Sequence, residues 1–111
     1  MNPDLTADQD KVFSALSDRN RRKMVELLAQ GDLSIQALST SFPMSFQAVS
    51  KHVMVLQQAD IVVKKREGKF RILSLNNEAF RPAIDWISYH GRMWNASFDR
   101  LDELTNQKDG D

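Results

Sequence analysis

Ser45-Phe46-Gln47-Ala48-Val49-Ser50-Lys51-His52-Val53-Met54-Val55-Leu56 is the stretch that decides how this chain is read. Val49, Val53 and Leu56 recur at i, i+4 and i+7, the apolar stripe of a helix that faces a core. Gln47, Ser50, Lys51 and Met54 repeat on the opposite side. One side is anchored and the other is offered outward. Ser45 is a good N-cap for this helix, and Pro43 stops whatever precedes it. Just upstream, Ser34 caps a short helix predicted through Phe42, with Ile35, Leu38 and Phe42 as its apolar positions. Downstream, Ile61-Val62-Val63 and Phe70 to Leu75 are strand-like and join through Glu67-Gly68. From Leu33 to Asn76 the order is short helix, turn, second helix and basic hairpin.

A helix that starts with small and polar side chains can enter a DNA major groove, and a basic hairpin beside it can grip phosphates. Together they describe a winged helix-turn-helix, and double-stranded DNA is the expected partner. The expected contacts on the helix are Ser45, Phe46, Gln47, Ser50, Lys51 and His52. Those on the wing are Lys64, Lys65, Arg66, Lys69 and Arg71. Gln47 and Ser50 are placed at base edges, and Lys51 at a base or a phosphate. Phe46 either packs against Phe42 or touches a thymine methyl. His52 is read as a phosphate contact or a half-buried packing residue.

The flanking segments complete a mainly α chain, five helices plus a two-stranded wing. Thr6-Ala7-Asp8-Gln9 fits a capping box, followed by a helix that buries Val12, Phe13 and Leu16. Asp18 caps a helix over Arg19 to Gln30, with Met24, Val25, Leu27 and Leu28 on its apolar side, and Gly31 is its C′ residue. From Asn77 a long helix is predicted to about Thr105, with Pro82 tolerated in its first turns. Along it Phe80, Ile84, Ile87, Gly91, Trp94, Phe98, Leu101 and Thr105 alternate in steps of four and three, a coiled-coil-like seam. Gly91 at mid-seam would let a partner helix approach closely. Trp86, His90, Met93 and Ser97 form a second stripe beside it. Dimerisation is therefore expected through Phe13 and this seam, with residues 77–106 as the dimerisation helix inside a single domain of 1–111.

The chain has 111 residues, 41% of them hydrophobic, enough for one modest core that dimerisation would extend. There is no cysteine, which removes disulfides and thiolate metal sites and fits a reducing cytoplasm. No signal peptide and no membrane-length apolar run is apparent. The formal net charge is zero, but its distribution is not uniform. Residues 19–75 carry ten basic and four acidic residues, a net +6, while the segments on either side each carry −3. Phosphate attraction follows that local field. No phosphate-binding glycine loop, HExxH or nucleophile elbow occurs, so neither an enzyme nor a cofactor is expected. The reading from another class is a winged-helix module that binds a protein without operator specificity. An acidic wing would favour that reading, whereas this wing is strongly basic.

Ala15-Leu16-Ser17-Asp18, Arg21-Arg22, Leu27-Leu28, Ala48-Val49-Ser50-Lys51-His52-Val53 with Leu56, and Arg66-Glu67-Gly68-Lys69 together resemble the ArsR-type winged-helix repressors. The resemblance spans roughly residues 10–77 and implies a homodimer, paired through its first and last helices, on a palindromic operator. Many such proteins release DNA when an effector binds. Arg19 stands where the family usually has proline. Ser34 and Gln36 stand where its metal sensors carry a Cys-x-Cys pair. The last helix offers only His90, among Asp85, Asp99 and Glu103, where other sensors pair their ligands. The resemblance is thus to the cysteine-free branch, with no metal and with an effector, if any, that the sequence does not name. A ligand near Trp86, Tyr89, His90 and Met93, a protein partner, or control by concentration alone remain open, the last two being favoured.

Overall fold

The computed structural model describes residues 3–109, which form five α-helices, a three-stranded antiparallel sheet and one 3-10 turn. Helix α1 covers Pro3–Ala15 and α2 covers Arg19–Ala29. A two-residue strand β1, Leu33–Ser34, leads into α3, Ile35–Ser39. Helix α4, Phe46–Gln58, precedes the hairpin strands β2, Val62–Glu67, and β3, Phe70–Leu75. The 3-10 turn Asn77–Phe80 then feeds α5, Arg81–Asp109.

Caps set most of these boundaries. The Asp18 carboxylate accepts from the Asn20 and Arg21 N–H groups and starts α2. Ser34 Oγ accepts from Ala37 N–H at 3.0 Å, and Ser45 Oγ from Ala48 N–H at 3.1 Å. Each hydroxyl satisfies a donor that has no partner inside its own helix. Gly31 follows the α2 C-cap Gln30, as expected of a C′ residue. In the hairpin, Gly68 takes φ +60°, the left-handed turn conformation that an L side chain resists.

Four expectations about the elements themselves are corrected. Helix α1 begins at Pro3, so Thr6 lies inside it rather than at its N-cap; proline is tolerated in a first helical turn and starts the helix earlier. Helix α3 stops at Ser39, and Phe42 reaches the core from the turn beyond it. The sheet has three strands in the order β1-β3-β2, because Leu33 and Ser34 pair with Leu73 and Ile72. Ser34 is both strand end and helix cap, and two residues show no alternation, so the strand left no period to read. The last helix opens with a 3-10 turn because Pro82 has no N–H for the Glu78 carbonyl, which accepts from Arg81 instead.

The core lies where α1, α2, α3 and α4 meet the sheet. Val12 and Ala15 come from α1, Met24 and Leu28 from α2, and Ile35 and Leu38 from α3. Val49, Val53 and Leu56 come from α4, with Ile61, Val62 and Leu73 from the hairpin and its approach. Val49, Val53 and Leu56 are the stripe that the sequence assigned to the inside. Phe13 is not buried with Val12: it stays 38% exposed, and Leu16 is half-buried.

Helix α5 stands out from this body. Its 29 residues extend about 44 Å at 1.5 Å each. Among the described residues, only Ala83 of α5 joins the buried core. The radius of gyration is 18.7 Å. A compact chain of this length would have about 13 Å.

Candidate nucleic-acid interface

Helix α4 is held by its inner stripe, and the Ser45 cap fixes its first turn. Val49 N–H also closes on the Ser45 carbonyl at 3.0 Å. With the inner face buried, Phe46, Gln47, Lys51 and Met54 are left exposed and Ser50 half-buried. Ser45 is exposed as well, but its hydroxyl oxygen already serves as the cap. Phe42 sinks into the core, whereas Phe46 stays 45% exposed. Packing against Phe42 does not bury it.

His52 points away from this face. Its Nδ1 lies 3.2 Å from Arg21 Nη1 and 4.0 Å from Asp18 Oδ1. For Arg21 to donate to it, Nδ1 must carry no proton, which places the ring proton on Nε2. Arg21 also donates from Nε to the Ala15 carbonyl at 2.7 Å and from Nη2 to the Ser14 carbonyl at 3.3 Å. Arg22 Nη1 donates to the Leu16 carbonyl at 2.7 Å. These carbonyls lie at and just beyond the end of α1, and that of Ser14 also accepts from the Ser17 N–H and hydroxyl. One guanidinium therefore ties the end of α1, the start of α2 and the middle of α4 together. The Asp18 carboxyl is held below its ordinary 3.8, chiefly by the Arg21 backbone N–H. Partial burial opposes that shift, while the Asn20 N–H and the positive charge of Arg21 reinforce it. Sequence reasoning grouped Arg21 and Arg22 with the family pattern but gave them no role, because a side chain that bridges three elements follows no period.

The wing presents the other candidates. Lys64, Lys65, Arg66, Lys69 and Arg71 are all exposed. Strand register sets Lys64 opposite Leu73, Lys65 opposite Ile72 and Arg66 opposite Arg71. Residues directly opposite share a sheet face, so Arg66 and Arg71 lie side by side, an arrangement that destabilises a hairpin unless an anion intervenes. Lys64, Lys65, Arg66 and Arg71 line a groove of ≈ 220 Å³. Among the described residues, Arg81 with Glu78 is the only lysine or arginine within 4.0 Å of a carboxylate. The wing cations thus have no internal counterion. Phe70, read from sequence as an ordinary strand residue, stays 48% exposed at the wing tip, and Lys69 Nζ lies 5.7 Å from its ring.

The seam residues of α5 are open. Ile84, Ile87, Trp94, Phe98 and Leu101 are exposed, while Phe80 and Gly91 are half-buried. Thr105 falls among the residues whose side chains are not described. The two predicted stripes are not separate. Trp86 meets His90 at 4.6 Å and Trp94 at 5.7 Å between ring centroids, and Phe13 of α1 packs edge-on to Trp86 at 5.8 Å. Phe13 thereby joins the aromatic face of α5, next to the seam. A Cβ built on Gly91 would meet nothing within 4 Å, so nothing inside the described chain requires glycine there. No helix among the described residues is long and apolar enough to cross a membrane.

No family model matches the chain. It is similar to the transcriptional repressor SdpR of Bacillus subtilis, with 35% identity over 78 residues, 70% of this chain and 87% of that protein. Among solved structures it resembles an ArsR-like transcriptional regulator from Rhodococcus sp. RHA1, at 25% identity and a TM-score of 0.70, covering 89% of this chain and 93% of that one. It shares its fold with a fragment of Mb0332 from Mycobacterium bovis, described as a homodimeric winged helix-turn-helix DNA-binding domain. That match has 23% identity and a TM-score of 0.65, over 80% of this chain and 84% of that one. With a capped helix-turn-helix, a basic wing and an apolar terminal helix in this order, the chain belongs to the ArsR family of winged helix-turn-helix transcriptional regulators.

Proposed function

We propose that the chain acts as a cytoplasmic, non-enzymatic repressor, binding an inverted-repeat operator as a homodimer and without a metal. The observation that carries this reading is the pairing of a rigidly capped α4, whose outward face is free, with a wing whose cations lack internal partners. In the dimer, α4 lies in the major groove with Gln47 and Ser50 at base edges and Lys51 at a base or phosphate. Lys64, Lys65, Arg66, Lys69 and Arg71 hold the backbone. Arg21 and Arg22 contribute to the local positive field, and each is held by carbonyls at or just beyond the end of α1. Phe13 and the α5 seam from Phe80 to Leu101 form the dimer contact, because so much contiguous apolar surface does not stay open on a monomer.

Fluorescence anisotropy against salt concentration tests the reading. The wing residues and Lys51, doubled in a dimer, neutralise roughly 6–10 phosphates, so log K should fall against log salt with a slope of about −5 to −9. Gln47→Ala should cost about 1–3 kcal/mol on the best operator and relax discrimination at one position. Arg66→Ala should weaken all sequences about equally. A flat salt dependence, or identical behaviour of the two variants, contradicts the assignment.

A further inference from the structure

We infer that Phe46 is a specificity-determining residue that recognises the C5 methyl of a thymine in each operator half-site. The inference rests on the proposed α4–major groove reading and deepens it. At 3.6 residues per turn, taking Phe46 as zero, Ser50 sits at about 40°, Met54 at about 80°, Gln47 at about 100° and Lys51 at about 140° around the helix. These five residues form one continuous arc, and the buried Val49, Val53 and Leu56 occupy the arc that adjoins it beyond Phe46. Phe46 is thus the edge of the outward face, next to Ser50, and belongs to the same surface as Gln47.

Its openness is built in. Phe42 is buried and Met44 half-buried against the core, so the turn before α4 has already filled the nearby apolar space. The Ser45 cap then fixes the backbone of the first turn and holds Phe46 where it can be only 55% covered by its own chain. Met54, also exposed, makes a second apolar point on the arc. An exposed ring on one face with Gln47, Ser50 and the unpaired Lys51 is a poor site for a second protein surface, which would have to cover that charge. It suits a base edge that offers an apolar group beside polar ones. In the major groove the thymine methyl is the one such group that the standard bases carry.

The methyl can be removed without touching anything else. Each thymine of the selected operator is replaced in turn by deoxyuridine, which keeps the Watson–Crick face and the O4 acceptor. Wild-type protein should lose about three- to tenfold in affinity at one thymine per half-site, the order expected for one buried methyl. In Phe46→Ala that thymine-to-uridine difference should shrink to within about twofold, while the Gln47-dependent discrimination stays. Phe46→Leu should retain part of the difference. Phe46 lies outside the core, so both variants should keep the wild-type melting temperature, which is measured alongside. Operator binding by wild type with no sensitivity to any deoxyuridine would overturn the inference and leave the DNA-binding reading standing. So would a sensitivity that survives Phe46→Ala and disappears in Met54→Ala. Failure of the wild type to prefer any operator would overturn both.

Discussion

Asp18 shows how much one side chain can carry at the residue scale. It caps α2, lies beside His52 of α4, and its carboxyl pKa is held below the ordinary value, chiefly by the Arg21 N–H. A carboxyl with a lowered folded-state pKa contributes stability above its unfolded value, and that stability is lost as pH falls through the folded value. The Asp18 contribution should therefore be complete above about pH 5 and decline as pH falls past 3.8 and through the lower folded value. Asp18→Ala should cost about 0.5–2 kcal/mol in urea unfolding at neutral pH, as loss of a cap does, and the cost should shrink in acid. A deficit that is the same at pH 3 and pH 7 would contradict the role given to the ionised carboxylate. The cap itself was legible, because Asp before a run of helix formers is a local signal. The three-way junction was not: Arg21 meets Ala15 and His52 through space, and neither separation follows a helical or strand period. For the same reason His52, placed with the DNA contacts by its position on α4, proves to face Arg21.

At the scale of elements, long periodic segments were readable and short ones were not. The inner stripe of α4, the hairpin and the terminal helix each repeat over enough residues to show their face. Strand β1 has two residues, and its pairing with β3 depends on a partner nearly forty positions away. The 3-10 turn before α5 came from a missing N–H at Pro82, a local cause whose effect on backbone geometry the residue pattern did not display. Gly91 gives this scale its test. Inside a helix, glycine costs about 1 kcal/mol relative to alanine, and nothing within the described chain touches a Cβ at this position. Gly91→Ala should thus stabilise α5 itself while weakening self-association if a partner helix lies close to the Gly91 backbone. Sedimentation equilibrium beside thermal unfolding at low concentration separates the two effects. A variant that is both more stable and equally dimeric would remove Gly91 from the seam.

At the scale of the molecule, the excess in radius of gyration and the open aromatic face of α5 have one cause: the core is too small to cover the terminal helix. A second copy would cover it and set two α4 helices about one DNA turn apart, on the order of 34 Å. Trp94 sits at the end of the Phe13–Trp86–Trp94 cluster, so Trp94→Asp should dissociate the dimer and abolish operator binding together. Selection of duplexes from a fully randomised pool by the purified protein tests the whole chain of inference most directly. The expected outcome is an enriched inverted repeat with half-site centres about 10 base pairs apart, recovered by wild type and lost with Trp94→Asp. Recovery of no motif, or of a single half-site bound equally well by wild type and Trp94→Asp, would contradict it.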